Sequence, residues 1–441
     1  MAPTVEPASA TQLPPPPPPP HFIIVPLIAQ GHTIPMVDFA RLLADRGTRA
    51  SLVVTPLNAA RLRGVAEHAA RTKLPLEIVE LPFPTDVDGL PPGIENVDQV
   101  TDDAHFAPLF AALQKLAGPL EAYLRALAPR PSCIVSDWCN PWTAGVARSL
   151  GIPRLFFHGP SCFYSLCDLN AVDHGLHDRI SAADDEQEKF VVPGVPVRVE
   201  VTRATAPGFL KEVGGAPERV RGGHAHGRRR GGEHVRGARG PVRGVLRGGA
   251  GETRVGARAV LPLQPGRRRR HCVAREQAGR PAERGGHRLA RHDGRGLVVR
   301  GWAPQLAVLS HRAVRGFVTH CGWNSLLESV AHGVPVVTWP HFADQFLNER
   351  LAVDVLGVGV PVGVTAPVTI FDDENVPVTR RDIVRAVSAL MDDGEEAEER
   401  RRAREYGEKA RRAMEKGGSS YENLTQLIEC FRQGRGKQRL D

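Results

Sequence analysis

The sequence predicts an α/β protein with two Rossmann-like halves, and three observations predict it. From His21 onward, near-continuous apolar runs of strand length alternate with longer amphipathic runs, the pattern of a parallel sheet covered by helices on both faces. A second strand–turn–helix unit, Gly316 to Gly333, stands far beyond that first series. The 441 residues suffice for two domains with sizeable cores.

In chain order, residues 1–20 (MAPTVEPASATQLPPPPPPP) are a Pro-rich tail expected to be disordered and to end in extended polyproline. Strand and helix then alternate: HFIIVPLI and IPMVDFARLLADRG; RASLVVTP and NAARLRGVAEHA; LPLEIVELPFP and one long helix around FAPLFAALQKLAGPLEAYLRAL; PSCIVSDW and PWTAGVARSLG; then IPRLFFHG. The tail has neither a basic leader nor an apolar run, and no later run reaches the ~18 apolar residues of a membrane span. Seven cysteines (Cys133, Cys139, Cys162, Cys167, Cys272, Cys321, Cys430) form no CxxC pair and are odd in number, as expected of reduced thiols. A cytoplasmic monomer without a membrane span is the expectation.

Function in such a sheet collects at the carboxyl ends of strands where strand order reverses, and the first and fourth strands flank that point. His32 follows the first strand in AQGHTIP, and Asp137 ends the fourth in IVSDW. An imidazole supported by a carboxylate is a general base able to deprotonate a hydroxyl near neutral pH. The plainer readings are a loop histidine and a helix-capping aspartate.

Gly316–His320 (GFVTH) reads as a strand, Cys321 and Gly322 as a tight turn, and Asn324–His332 (NSLLESVAH) as a helix stopped by Gly333. Such a turn aims unpaired N–H groups and the positive helix end at a diphosphate. His320, Asn324 and Ser325 add donors there, and Glu328, one turn on, can accept from sugar hydroxyls. Upstream, Trp302 offers a flat indole to a base, with Ala303 and Gln305 at its edge. Downstream of VPVVTWP, Asp344 and Gln345 suit a hexose. In the competing reading Trp302 and Trp323 are packing residues and the acids a solvated loop.

Unbroken from Trp302 to Gln345, this stretch resembles the donor-binding signature of plant secondary-product glycosyltransferases, the UDP-sugar-dependent enzymes of glycosyltransferase family 1. AQGHTIPMVDFARLLA, CIVSDWCNPW and FVVPGVPVRVEVTRATAPGFLKE resemble the same family. The resemblance implies a GT-B architecture, two Rossmann-like domains facing a cleft. It implies that Trp302, Ala303 and Gln305 hold uracil, that His320, Asn324 and Ser325 hold the diphosphate, and that Glu328 holds the ribose. Trp323, Asp344 and Gln345 would take the sugar, and His32 with Asp137 would be the catalytic pair. A final Gln goes with UDP-glucose more often than UDP-galactose. UDP-glucose would be a co-substrate, the acceptor a small hydroxylated molecule, and no metal or other cofactor is implied. Asp86-Val87-Asp88 spells the DxD of metal-dependent sugar transferases but sits in a polar Pro/Gly loop and reads as surface.

From Ala216 to Asp293 the chain contains no Phe, Tyr, Trp, Met, Ile, Asn or Lys, while Arg and Gly abound. Such a segment cannot bury enough apolar surface to offset its ordering entropy. It holds much of the charge behind the net +8. Three readings compete: an Arg/Gly nucleic-acid tract, which lacks the usual interleaved aromatics; a basic linker; and a frameshifted or misjoined reading of GC-rich coding sequence. The abrupt change, and the loss of types encoded by AT-rich codons, favour the third. The family's first donor strand and its Gly-Ser turn are not visible there, so the donor domain is expected to be incomplete.

Further on, VTRRDIVRAVSALMDDG reads as a capped helix, EEAEERRRAREYGEKARRAMEKGG as a solvated one, and SSYENLTQLIECFRQ as a helix capped by Ser419 or Ser420. The family resemblance implies that this last helix returns to the N-terminal half. The expected organisation is an acceptor domain at 21–212, an aberrant segment at 213–294, a donor domain at 295–433 and a tail at 434–441. The expected activity is inverting transfer of glucose from UDP-glucose to a hydroxyl of a small lipophilic metabolite. An inactive UDP-sugar-binding chain is the nearer alternative and a nucleic-acid binder the further one.

Overall fold

Five short strands rich in Ile, Val and Leu make the first sheet of this computed structural model, which describes residues 18–185, 187–207, 290–292, 296–299, 303–368, 378–392 and 397–433. They are β1 (His21–Val25), β2 (Arg49–Val54), β3 (Leu76–Glu80), β4 (Cys133–Asp137) and β5 (Arg154–Phe157), all parallel in the order β3-β2-β1-β4-β5. Every residue of β1 and β4 is buried. Strand order reverses between β1 and β4, where the register sets Ile24 beside Val135. This is the crevice the sequence assigns to His32 and Asp137.

Helices α1 (Gln30–Asp45), α2 (Pro56–Arg61), α3 (Arg63–Thr72), α4 (Phe106–Lys115), α5 (Ala117–Ala126) and α6 (Thr143–Leu150) connect these strands. The single long helix expected over 106–127 is two, broken at Leu116. Pro119 has no N–H for the carbonyl four residues back, and its ring crowds that carbonyl, so one continuous helix is disfavoured. Helices α7 (Cys162–Asp173) and α8 (Leu176–Ser181) and the antiparallel pair β6 (Phe190–Val191) and β7 (Glu200–Val201) extend this half.

The second half holds a three-stranded parallel sheet whose strands lie side by side in chain order. Its elements are α9 (Gln305–Leu309), β10 (Phe317–Thr319), α10 (Trp323–Ala331), β11 (Val336–Thr338), α11 (Gln345–Arg350), a π-helical turn (Leu351–Val355) and β12 (Gly359–Pro361), followed by α12 (Arg380–Met391), α13 (Ala397–Met414) and α14 (Ser419–Arg432). Helix α12 is capped as expected, by a capping box of Thr379 and Asp382. Neither Ser419 nor Ser420 caps α14: its N-cap is Gly418, and both serines already lie inside the helix. Of the 213–294 segment only Ala290–His292 is described, as β8, pairing antiparallel with β9 (Gly296–Val298). The expectation of disorder over 213–289, Trp302, and most of the N-terminal tail lie outside the described residues.

Helix α14 ties the halves together. Its Leu424 and Ile428 belong to the core of the first half, and Phe431 meets Phe22 edge-on at 5.3 Å. The Arg46 guanidinium stacks 3.4 Å from the centre of the Tyr421 ring and donates to Thr425 Oγ1 at 3.0 Å. Burying two such aliphatic side chains contributes about 1.5–3 kcal/mol each. Among the described residues no helix is long and apolar enough to cross a membrane.

Candidate active site

His32 lies in the first turn of α1, which has no side-chain cap of its own at Ala29; Asp98, from a distant loop, accepts from Gln30 N at 2.9 Å instead. His32 Nδ1 and Asp137 Oδ2 are 2.8 Å apart, with the imidazole partly exposed and the carboxylate fully buried. A carboxylate can only accept here, so Nδ1 carries the proton and Nε2 is left as the basic nitrogen of the neutral ring. Burial pulls the His32 pKa down, but the charge and hydrogen bond of Asp137, with Asp344 and Asp98 behind it, raise it above its ordinary value.

Asp137 is held on its other side too, because Oδ1 accepts from Cys139 N at 2.8 Å. Asn140 fastens the same loop to the end of β1 by donating to the carbonyls of Val25 and Pro26. Burial and the neighbouring Asp137 push the Cys139 thiol well above its ordinary pKa, so it stays protonated. The ligand-capable atoms of His32, Asp137 and Cys139 lie within 4.8 Å of one another. Beside them His158 takes part in a hydrogen bond with Ser165 and packs 5.4 Å from the Trp138 ring. Neither Asp98, Cys139 nor His158 carried a signal in sequence, since each acts through neighbours distant in the chain or by backbone geometry.

On the donor side, Cys321 adopts the left-handed conformation (φ 64°) and α10 begins two residues later. A side chain at Gly322 would come within 2.3 Å of His320 Nε2, so only glycine allows this turn with the imidazole folded across it. Asn324, at the start of α10, donates to Gly31 O at 2.6 Å. That carbonyl is free for a simple reason: its helical donor would be the residue four further on, which is Pro35. The diphosphate candidate Asn324 thus reaches across the cleft to the residue before His32.

Other donor candidates are bonded to one another. Gln305 Nε2 donates to Glu328 Oε2 at 2.7 Å and to Ser325 Oγ at 3.3 Å. Burial raises the pKa of Glu328, Gln305 partly opposes this, and Asp38 adds to it. Gln345 is buried, its Oε1 accepting from the backbone N–H groups of His341 and Phe342. Burial lifts Asp344 to about 6 against the opposing bond from Asn348. Trp323 is half-buried and packs between core clusters of the two halves. Ala303 and His320 are exposed, and so are Asp86 and Asp88 in their loop.

The family model described as UDP-glucoronosyl and UDP-glucosyl transferase matches residues 287–395. UDP-glycosyltransferase 73C13 of Barbarea vulgaris is 35% identical over 479 residues, covering 94% of this chain and 96% of the relative. UDP-glycosyltransferase 73E1 of Stevia rebaudiana is 36% identical over 472 residues, covering 92% and 95%. The crystal structure of Glycyrrhiza uralensis UGT73P12, complexed with glycyrrhetinic acid 3-O-monoglucuronide, superposes with a TM-score of 0.70 at 28% identity, covering 94% of this chain and 96% of that one. With two Rossmann-like halves in the GT-B arrangement and relatives this similar over nearly their whole length, the chain belongs to the plant UDP-glycosyltransferases, which transfer sugars from UDP to small acceptors.

Proposed function

We propose that this chain transfers glucose from UDP-glucose to a hydroxyl of a small lipophilic acceptor, with inversion at the anomeric carbon. The observation that carries the reading is the 2.8 Å bond between His32 and Asp137, set across the cleft from the N-terminus of α10. Nε2 of His32 takes the acceptor proton as the acceptor oxygen attacks the anomeric carbon. The bond from that carbon to the diphosphate oxygen breaks, and UDP leaves with the electron pair. Asp137 stabilises the imidazolium as it forms. The N–H groups at the start of α10, with Asn324, Ser325 and His320, stabilise the charge on the departing diphosphate.

Asp344 and Gln345 are assigned to the hexose, Glu328 to the ribose, and Trp302, Ala303 and Gln305 to uracil. Glucose is favoured by the Gln at the end of the donor stretch. A lipophilic acceptor is favoured by the glycyrrhetinic acid glucuronide bound to the Glycyrrhiza relative. The reaction is proposed without a metal, as the family resemblance implies: the His32 nitrogen that faces Asp137 carries a proton in their hydrogen bond, and the Cys139 thiol beside them stays protonated. The described cysteines are free thiols, which suits a reducing compartment such as the cytosol. His32→Ala should lower glucosyl transfer about 10²- to 10⁴-fold. UDP affinity, measured by titration calorimetry, should stay nearly unchanged. Full turnover in the variant would remove His32 from the role of base.

A further inference from the structure

Asn348 is completely buried in α11, one turn beyond Asp344, so the two side chains stack on one face. Its amide makes three hydrogen bonds and they leave it one orientation. Oδ1 accepts from Ser161 Oγ of the acceptor half at 2.8 Å, while Nδ2 donates to Asp344 Oδ2 at 2.9 Å and to Cys321 O at 3.0 Å. Ser161 is itself polarised, because its oxygen caps α7 by accepting from Tyr164 N at 3.0 Å. Its proton therefore points at Asn348. Next to Ser161, Gly159 packs against the His32 ring, where an added Cβ would lie 3.9 Å from Cε1.

We propose that Asn348 is a positioning residue that aims the Asp344 carboxylate at the donor sugar, with Ser161 of the acceptor half fixing the orientation of its amide. The inference rests on the assignment of Asp344 to the hexose made above. A buried amide has no water to replace a lost partner, so both ends are held. Rotating the amide would set its oxygen against the Asp344 carboxylate and the Cys321 carbonyl. With Ser161 in place, that alternative is closed. Asp344 is only half-buried and would otherwise sample several rotamers. The hydrogen bond also opposes the burial that raises the Asp344 pKa, which favours the ionised form that accepts from sugar hydroxyls.

The test is calorimetric titration of the full chain with UDP and, without acceptor, with UDP-glucose, read as the ratio of the two dissociation constants. A general loss of structure weakens both ligands together and leaves the ratio alone. Asn348→Ala should raise the ratio of the UDP-glucose constant to the UDP constant roughly tenfold, the scale of a lost hydrogen bond to a charged group. Asp344→Ala should raise it at least as much, and adding Asn348→Ala to that variant should raise it no further. Ser161→Ala, which leaves Asn348 in place and serves should Asn348→Ala fail to fold, should raise it about two- to threefold by leaving the buried amide oxygen unpaired and loosening the amide's hold on Asp344. If Asp344→Ala leaves the ratio unchanged, the assignment of Asp344 to the sugar falls and the inference with it. If Asp344→Ala raises the ratio but Asn348→Ala or Ser161→Ala does not, the inference alone is overturned.

Discussion

In the acceptor half, His32 and Asp137 stand at the ends of elements anchored in a five-stranded sheet, and both oxygens of Asp137 are held by donors that no substrate replaces. In the donor half, Gln305 is bonded to Glu328, Asn324 to Gly31, and Gln345 to a backbone turn. The groups expected to grip UDP-sugar thus hold one another or nearby backbone. For the proposed reaction, the first half is preorganised for proton transfer, whereas the second would have to exchange hydrogen bonds within the protein for hydrogen bonds to the donor. Preorganisation should make the chemical step sensitive to single substitutions in the first half. Exchange should soften single substitutions in the second, because each loses one partner and is spared the breaking of another.

After loss of His32 itself, the largest effect should come from Asp137→Asn, which keeps the side-chain shape but gives the loop one donor too many. Transfer should fall about 10²- to 10³-fold. The pH profile should move as well. Burial lowers the His32 pKa, but Asp137 outweighs it and leaves the pKa above the ordinary value, so activity in the native chain should rise with pH through a limb above the usual histidine range. Removing the carboxylate lowers that pKa and shifts the limb to lower pH. A limb that stayed in place would mean that His32 is not the titrating base.

The rigidity of the acceptor half can be challenged from the far end of its sheet. His21 is 3% exposed, and burial and then Arg49 pull its pKa to about 4 against a smaller upward pull from Glu77. Its Nε2 bonds Ser51, which donates to Glu77, and its buried Nδ1 has no hydrogen-bond partner among the described residues, so the imidazole is held neutral. Between pH 6.5 and 4 the unfolded chain binds a proton that the folded chain refuses. Stability is therefore full above pH 6.5 and falls towards pH 4, by about 3 kcal/mol from this site. Urea unfolding at pH 7 and 4.5 should show the loss, and His21→Gln should remove this contribution.

A smaller effect tests exchange in the donor half. Gln305→Ala loses the expected contact with uracil but leaves Glu328 unpaired and ready for the ribose, so UDP affinity should fall less than about tenfold. Glu328→Ala frees Gln305 in the same way, so the double variant should lose more than the sum of the two single losses. Additive losses would show that the Gln305–Glu328 bond survives donor binding and that nothing is exchanged.

Much of this division was legible in the sequence. The apolar runs placed β1 and β4, and the position of His32 and Asp137 after them followed from where function collects in a parallel sheet. The turn at Cys321 and Gly322 was readable because a Gly stands between a strand pattern and a helix pattern. Asn348 was not, because its partner Ser161 lies 187 residues away and an Asn inside a helical run has no periodic signature. The pairing of Asn324 with Gly31 was half-written: Pro35 marks a carbonyl without its helical donor, but nothing local says which side chain comes to it. The cap of α14 was misassigned because Ser419, Ser420 and Glu422 compose a plausible capping pattern one residue late.

The smallest effect concerns Gln345, where the two roles can be separated. Its buried Oε1 holds the N–H groups of His341 and Phe342 at 2.7 and 3.1 Å, which shapes the loop carrying Asp344. Its two N–H donors remain for the sugar. In Gln345→His, one ring nitrogen can accept from one of those backbone groups and leaves the other unpaired, at a cost of about 1–3 kcal/mol. The second ring nitrogen presents a single donor or acceptor where the amide presented two donors. If Gln345 meets the hydroxyls that distinguish the hexoses, kcat/KM for UDP-galactose relative to UDP-glucose should rise a few-fold alongside the stability loss. Loss of stability with an unchanged ratio would make Gln345 a fastening for the loop alone, and would leave Asp344 as the hexose contact of this turn.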